Sequence, residues 1–161
     1  MSEGYSIRKT VLGDRDALTN LCMRSKQSNG YDDAFMAQCA DELRVRDEWI
    51  TRDAFWLAET GEGKPVGCIR LSVEEDGMTG ELATCFVDPD WQGRRVGKVL
   101  FDVLYAEART RGLVRIGLDA DPFAEPFYAR MGFQITGRSP SGSIPGRTLA
   151  RMELVLDTET D

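Results

Sequence analysis

The sequence predicts a mixed α/β domain: a mostly antiparallel central sheet of about seven strands flanked by about four helices. Three observations carry that expectation. Extended runs at residues 55–59, 65–73 and 81–87 are joined by Gly61-Glu62-Gly63-Lys64 and by Glu75-Asp76-Gly77, connections too short for anything but an antiparallel meander. Apolar residues recur at helical spacing on both sides of that block. Residues 87–101 read as a strand, a tight turn and a helix.

The elements follow in order. Residues 5–9 form a first strand, and residues 14–26 a helix with Ala17, Leu18, Leu21 and Cys22 on one face. After Ser28-Asn29-Gly30-Tyr31, Asp32 or Asp33 caps a second helix in which Phe35, Met36, Cys39, Ala40 and Leu43 share a face. The three-strand meander comes next. The helix beyond it aligns Val96, Val99, Leu100, Val103, Leu104 and Ala108 and stops near Arg111-Gly112. A strand at 115–118, a short helix at 125–131 stopped by Gly132, and strands at 133–136 and 149–156 close the sheet, with a turn-rich loop at 140–146. One domain spans residues 1–156, and residues 157–161 form a short acidic tail.

Bulk composition narrows the function classes. With 161 residues and a net charge of −7, the chain is a poor candidate for a phosphate-backbone binder, so no nucleic-acid partner is expected. No run approaches the ~20 apolar residues of a membrane span, and the N-terminus lacks a secretory pattern, so the expectation is a cytoplasmic protein with no membrane partner. Histidine is absent, which removes every mechanism that needs imidazole. Cys22, Cys39, Cys68 and Cys85 have no metal-site spacing, so no metal is expected and reduced core thiols are.

The junction at residues 87–101 is the most specific feature. The first amides of a helix lack intrahelical partners and sit at the positive end of its dipole, so they attract anions. Gln92, Gly93, Arg94, Arg95, Val96, Gly97 and Lys98 place cations and glycines there, and glycine lets a phosphate reach the main chain. A glycine-arginine lead into an ordinary surface helix has the same composition.

Gln92, Gly93, Arg94, Arg95, Val96 and Gly97 resemble the acetyl-CoA motif of the GCN5-related N-acetyltransferase superfamily: Gln or Arg, two residues, Gly, one residue, Gly or Ala after a strand. Arg95 stands where the family usually has its first glycine. A second match, residues 119–133 with Asp121, Ala124, Phe127, Tyr128 and Gly132-Phe133, is similar to the family's later signature. The resemblance is to an uncharacterised bacterial branch. It implies acetyl-CoA as acyl donor, a fourth strand splayed from the fifth so that Phe86 and Val87 face the pantetheine arm, cofactor contacts from the two motifs, and a possible homodimer.

The activity implied is transfer of acetyl to a primary amine of a small molecule or peptide, by direct attack in a ternary complex. An amine with a pKa of about 10.4 must lose its proton first, so a base is needed. Glu81 is the candidate, with Glu74 and Asp119 behind it, and strand alternation places Glu81 on the same face as Cys85. A solvated edge glutamate is the competing description. Tyr128 is positioned by the resemblance to protonate the departing thiolate, or packs simply as an aromatic beside Phe127 and Phe133. Cys85 has no histidine to activate it, which argues against an acyl-enzyme. Topology puts Asn29, Tyr31, Phe35 and Arg147 around the acceptor. The competing class is an inactive CoA-binding regulatory or interaction module, and succinyl or propionyl transfer is a third reading.

Overall fold

The structure, a computed structural model, describes residues 4–156. The acidic segment 157–161 lies outside the described residues. Strands β1 (Tyr5–Lys9), β2 (Ala54–Thr60), β3 (Pro65–Val73), β4 (Thr79–Val87), β5 (Arg115–Ala120), β6 (Gln134–Pro140) and β7 (Thr148–Val155) form one sheet in the order β1-β2-β3-β4-β5-β7-β6. Every neighbouring pair is antiparallel except β4 with β5, which is parallel. The helices are α1 (Arg15–Gln27), α2 (Asp33–Leu43), α3 (Asp47–Arg52), α4 (Val96–Thr110) and α5 (Glu125–Arg130).

Two apolar layers hold the sheet from opposite faces. Val96, Leu100, Phe101, Leu104 and Ala108 of α4 pack with Trp56, Ala58, Val66, Ile69, Leu71 and Leu82, joined by Tyr128 of α5. On the other face Leu18, Leu21 and Cys22 of α1 meet Phe55, Leu57 and Cys68, with Trp49 and Ile50 against them. The side chains that share the α4 stripe recur every three or four residues, which is why this segment is a helix and why it lies on the sheet. Gly67 sets how closely it lies: a Cβ there would stand 2.8 Å from Val96 Cγ1 and 3.0 Å from Leu100 Cδ1.

Asp32 caps α2 as expected, its side chain accepting from the Phe35 amide at 2.8 Å. A fifth helix, α3, exceeds the four expected. Its six residues are too few to show a period, and Trp49 is held there by a side-chain contact, the Arg70 guanidinium 3.7 Å from its ring centroid. The strand bounds also move outward: β5 runs to Ala120 and β6 to Pro140, because the β5–β7 and β6–β7 ladders continue past the apolar residues that mark a strand in sequence.

Candidate active site

The β4–β5 ladder consists of Thr79 with Arg115, Gly80 with Ile116 and Glu81 with Gly117, and then ends. Beyond Glu81 the strands diverge, leaving the main chain of residues 82–87 open toward the gap. An open strand edge offers backbone donors and acceptors to an extended ligand. The gap opens into a cavity of about 400 Å³ whose walls include Glu81, Thr84, Cys85, Phe86, Asp119 and Tyr128.

At the end of β4, Asp88 is buried and fixes the turn. Its side chain accepts from the Asp90 amide at 2.9 Å and from Arg24 Nη2 of α1 at 2.6 Å. Burial pushes its carboxyl up, but the Asp90 amide and the Arg24 charge outweigh that and hold it below the usual range. The chain enters α4 through Gly93, at φ 82°, and Arg95, at φ 66°. Arg95 is the only described residue other than glycine with a positive φ, in the position the motif normally gives to glycine. Its side chain makes no cap, so the first amides of α4 remain available.

The cradle residues do not contribute alike. Arg94 stacks over the Trp91 ring at 4.5 Å, and Lys98 Nζ is paired with Asp102 at 2.7 Å. The Val96 side chain is buried, so this residue offers only its amide. Gly97 is glycine for a reason the motif alone conceals. A Cβ there would stand 3.1 Å from the Phe127 ring and 3.6 Å from Val87 Cγ2, so the missing side chain makes room for α5 against α4. Gln92, Gly93, Arg94 and Arg95 are exposed, while Phe86 and Val87 are half-buried on the open edge. Open edge, free amides and cations thus lie along one path, which fits a pantetheine pyrophosphate.

At the base of the gap the Tyr128 hydroxyl faces the Cys85 thiol. Burial pushes the Cys85 thiol up to about 12, so it stays protonated and a poor nucleophile. Burial likewise raises Tyr128 well above the ordinary phenol. Tyr128 also packs edge-on against Phe127 and Phe133, so the aromatic description and the site description hold together. The four cysteines are free.

Strand alternation misplaces Glu81 relative to Cys85. The β3–β4 register runs Arg70 with Thr84 and then Leu71 with Leu82, which leaves Ala83 as a bulge. One extra residue inverts the pleat. Leu82 and Cys85 therefore both point to the α4 layer, whereas Phe86 belongs with the α1 layer and Glu81 shares its face with Asp119 and Arg151. Glu81 accepts from Arg151 Nη1 and Nη2, each at 2.8 Å. Burial pushes its carboxyl up, and Arg151 pulls it back only in part, leaving it raised. Glu74 is exposed, and Asp119 is 3.3 Å from Arg151 Nη1.

Of the residues expected around the acceptor, Tyr31 and Arg147 meet at Asp121. Its carboxylate accepts from Tyr31 Oη at 2.9 Å and Lys26 Nζ at 3.2 Å, and lies 3.4 Å from Arg147 Nη2. Arg147 also donates to Tyr31 Oη at 2.8 Å, and Tyr31 stacks on Phe35 with centroids 4.1 Å apart. Asn29 lines the same cavity. Asp121, read in sequence as a cofactor contact, is engaged here as the clasp between three loops. Burial pushes its carboxyl up, but the Phe123 amide and the Lys26 charge outweigh it and leave it low. Lys26, Arg70 and Arg151 were missed in sequence. Their partners lie up to 95 residues away, and no local spacing marks such pairs.

Among the described residues no helix is long and apolar enough to cross a membrane, and no cluster of three or more metal-ligating side chains exists. The sequence profile described as the acetyltransferase (GNAT) family matches residues 20–133. The chain is 32% identical over 134 residues to the peptidyl-lysine N-acetyltransferase YjaB of Salmonella typhimurium, covering 83% of this chain and 86% of that protein. Among solved structures it is similar to a GCN5-related N-acetyltransferase of Rhodopseudomonas palustris, with a TM-score of 0.79 at 22% identity, covering 97% of this chain and 98% of that one. It is also similar to the PaiA N-acetyltransferase of Thermoplasma acidophilum in complex with coenzyme A, with a TM-score of 0.78 at 19% identity, covering 97% and 100%.

Proposed function

The chain belongs to the acetyltransferase (GNAT) family, and on that premise we propose that it moves acetyl from acetyl-CoA to a primary amine of a small molecule or peptide by direct attack in a ternary complex. The observation that carries this reading is the splay of β4 from β5, with the α4 N-terminus at one end and the Tyr128–Cys85 pair at its base.

The open edge of residues 82–87 aligns the pantetheine arm as an added strand, and the first α4 amides, reached through the left-handed main chain of Arg95 and flanked by Arg94, hold the pyrophosphate. Acetyl-CoA supplies an activated thioester. Glu81, on the wall formed with Asp119, takes the proton from the ammonium as the amine enters from the α1–α2 side. The neutral amine attacks the thioester carbon, the C–S bond breaks as Tyr128 gives its proton to the departing sulfur, and the surplus proton on the new amide nitrogen returns through water to the Tyr128 phenolate. A protonated Cys85 without a histidine supports direct attack over an acyl-enzyme. The cavity lining carries four carboxylates, Glu42, Glu81, Asp119 and Asp121, against the two cations Lys26 and Arg70, a balance that supports a cationic acceptor.

Calorimetric titration with acetyl-CoA, with ATP as control, tests the donor half, and Gly97→Glu should abolish binding by driving a carboxylate into the Phe127 contact. Release of CoA on adding a panel of primary amines, lysine peptides included, tests the acceptor half. Binding without release for any amine would favour an inactive CoA-binding module. Absence of binding at millimolar acetyl-CoA would sink the whole reading.

A further inference from the structure

Glu81 lies on β4 and Arg151 on β7, with β5 between them. A side chain can bridge two strands that are not neighbours only if the strand between them offers no obstacle. Gly117 of β5 is that gap: it pairs with Glu81 on one side, and a Cβ on it would overlap the Arg151 guanidinium. Arg151 thus lies flat across β5, gives two nitrogens to Glu81, and touches Asp119 with Nη1 at 3.3 Å.

The pairing is two-pronged and planar, the geometry that fixes a carboxylate's orientation as well as its charge. Both side chains are about three-quarters buried, at 24% and 26% exposure, so solvent screens the pair less than a surface ion pair. One guanidinium serves two carboxylates, leaving the Glu81–Asp119–Arg151 group with one net negative charge beside the cavity. Each oxygen of Glu81 keeps a lone pair beyond the one given to Arg151, so the carboxylate can still accept a proton from a substrate or a bridging water.

We propose that Arg151, laid across Gly117, is a positioning residue that aims the Glu81 carboxylate at the acceptor amine and keeps it ionised. The inference rests on Glu81 being the base. Without Arg151, Glu81 would face Asp119 from β5 and Glu74 just beyond β3, both negative, and across the cavity Lys26, Arg70, Glu42 and Asp121. Burial and like charge would then raise the carboxyl further, and it would be protonated where the enzyme needs it free.

The test uses the full chain with ¹³C-labelled glutamate side chains, the Glu81 resonance being identified by its disappearance in Glu81→Gln. In Arg151→Met the Glu81 midpoint should rise by about 1–3 pH units. Gly117→Ala, which keeps the arginine but obstructs its path, should give a smaller rise, and Arg151→Lys should restore part of the charge but not the two-pronged aim. Acetyl-CoA affinity by calorimetry should be unchanged in all of them, which also reports that each is folded. With a single-lysine peptide as probe acceptor, Arg151→Met should lower kcat by about 10–100-fold and move the acidic limb of its pH profile upward, adding little to Glu81→Gln.

An unmoved Glu81 midpoint in Arg151→Met overturns the inference. So does an unchanged kcat and pH limb in Arg151→Met when Glu81→Gln is inactive, in which case the base assignment stands. Full turnover in Glu81→Gln removes the base assignment itself, and Arg151 is then a structural partner only.

Discussion

The two sides of the β4–β5 gap, proposed above as the donor side and the acceptor side, are built from different materials. On the donor side the main chain does the work: the open edge of β4, the first amides of α4, and a turn through Gly93 and Arg95. On the acceptor side almost every polar group is a side chain held by another from a distant part of the chain, as in Glu81 with Arg151 or Asp121 with Lys26, Tyr31 and Arg147. A backbone device depends on local conformation and tolerates side-chain change. A side-chain network depends on its partners, and losing one leaves another charge uncompensated.

The contrast can be broken most severely where the two sides meet. Deleting Ala83 removes the bulge, so either Leu82 or the 84–87 segment must turn the wrong face to the core; we expect loss of both acetyl-CoA binding and a cooperative thermal transition, read by calorimetry and circular dichroism. Next comes Arg24→Ala, which leaves the buried Asp88 carboxylate without its cation. Denaturant unfolding should show a loss of about 2–3 kcal/mol, and acetyl-CoA affinity should fall because Asp88 sets the turn into the cradle.

Asp121→Asn acts on the acceptor side alone. It removes the charge that gathers Lys26 and Arg147, at a cost of about 1.5 kcal/mol, and should raise KM for the acceptor while leaving acetyl-CoA affinity in place. The same carboxylate gives a pH signature. Its folded pKa is lowered, so its contribution is complete above the ordinary carboxylate value of about 3.9 and fades as pH falls below that toward the folded value. Asp121→Asn should therefore flatten the acid limb of stability, measured by urea midpoints between pH 5 and pH 2.5. The smallest effect belongs to Arg95→Gly, which relieves a left-handed arginine at the cost of glycine's chain entropy and should stabilise by about 0.5–1 kcal/mol. If acetyl-CoA affinity falls more than tenfold in that variant, the Arg95 side chain takes part and the donor side is not purely a backbone device.

This difference in materials also explains what could be read from the sequence. The junction at residues 87–101 was legible because a strand, a turn and a helix start are contiguous, and so were the seven strands and the α4 stripe. The short helix that carries Tyr128, stopped by Gly132, was legible through its local pattern. What escaped depends on long-range geometry: the bulge at Ala83, which only the β3 partner reveals, the vacancy over Gly117, and the salt bridges joining residues 70 or more positions apart. Gly97 shows the intermediate case, since its identity was expected from the phosphate and is enforced by the Phe127 ring.

The bulge at Ala83 has a consequence for traffic through the molecule. By reversing the pleat midway along β4, it lets one strand present the Glu81 carboxylate to one face of the sheet and the Cys85 thiol to the other. The sheet becomes a partition with a slot in it, and in the proposed reaction the acetyl group would be handed over through that slot.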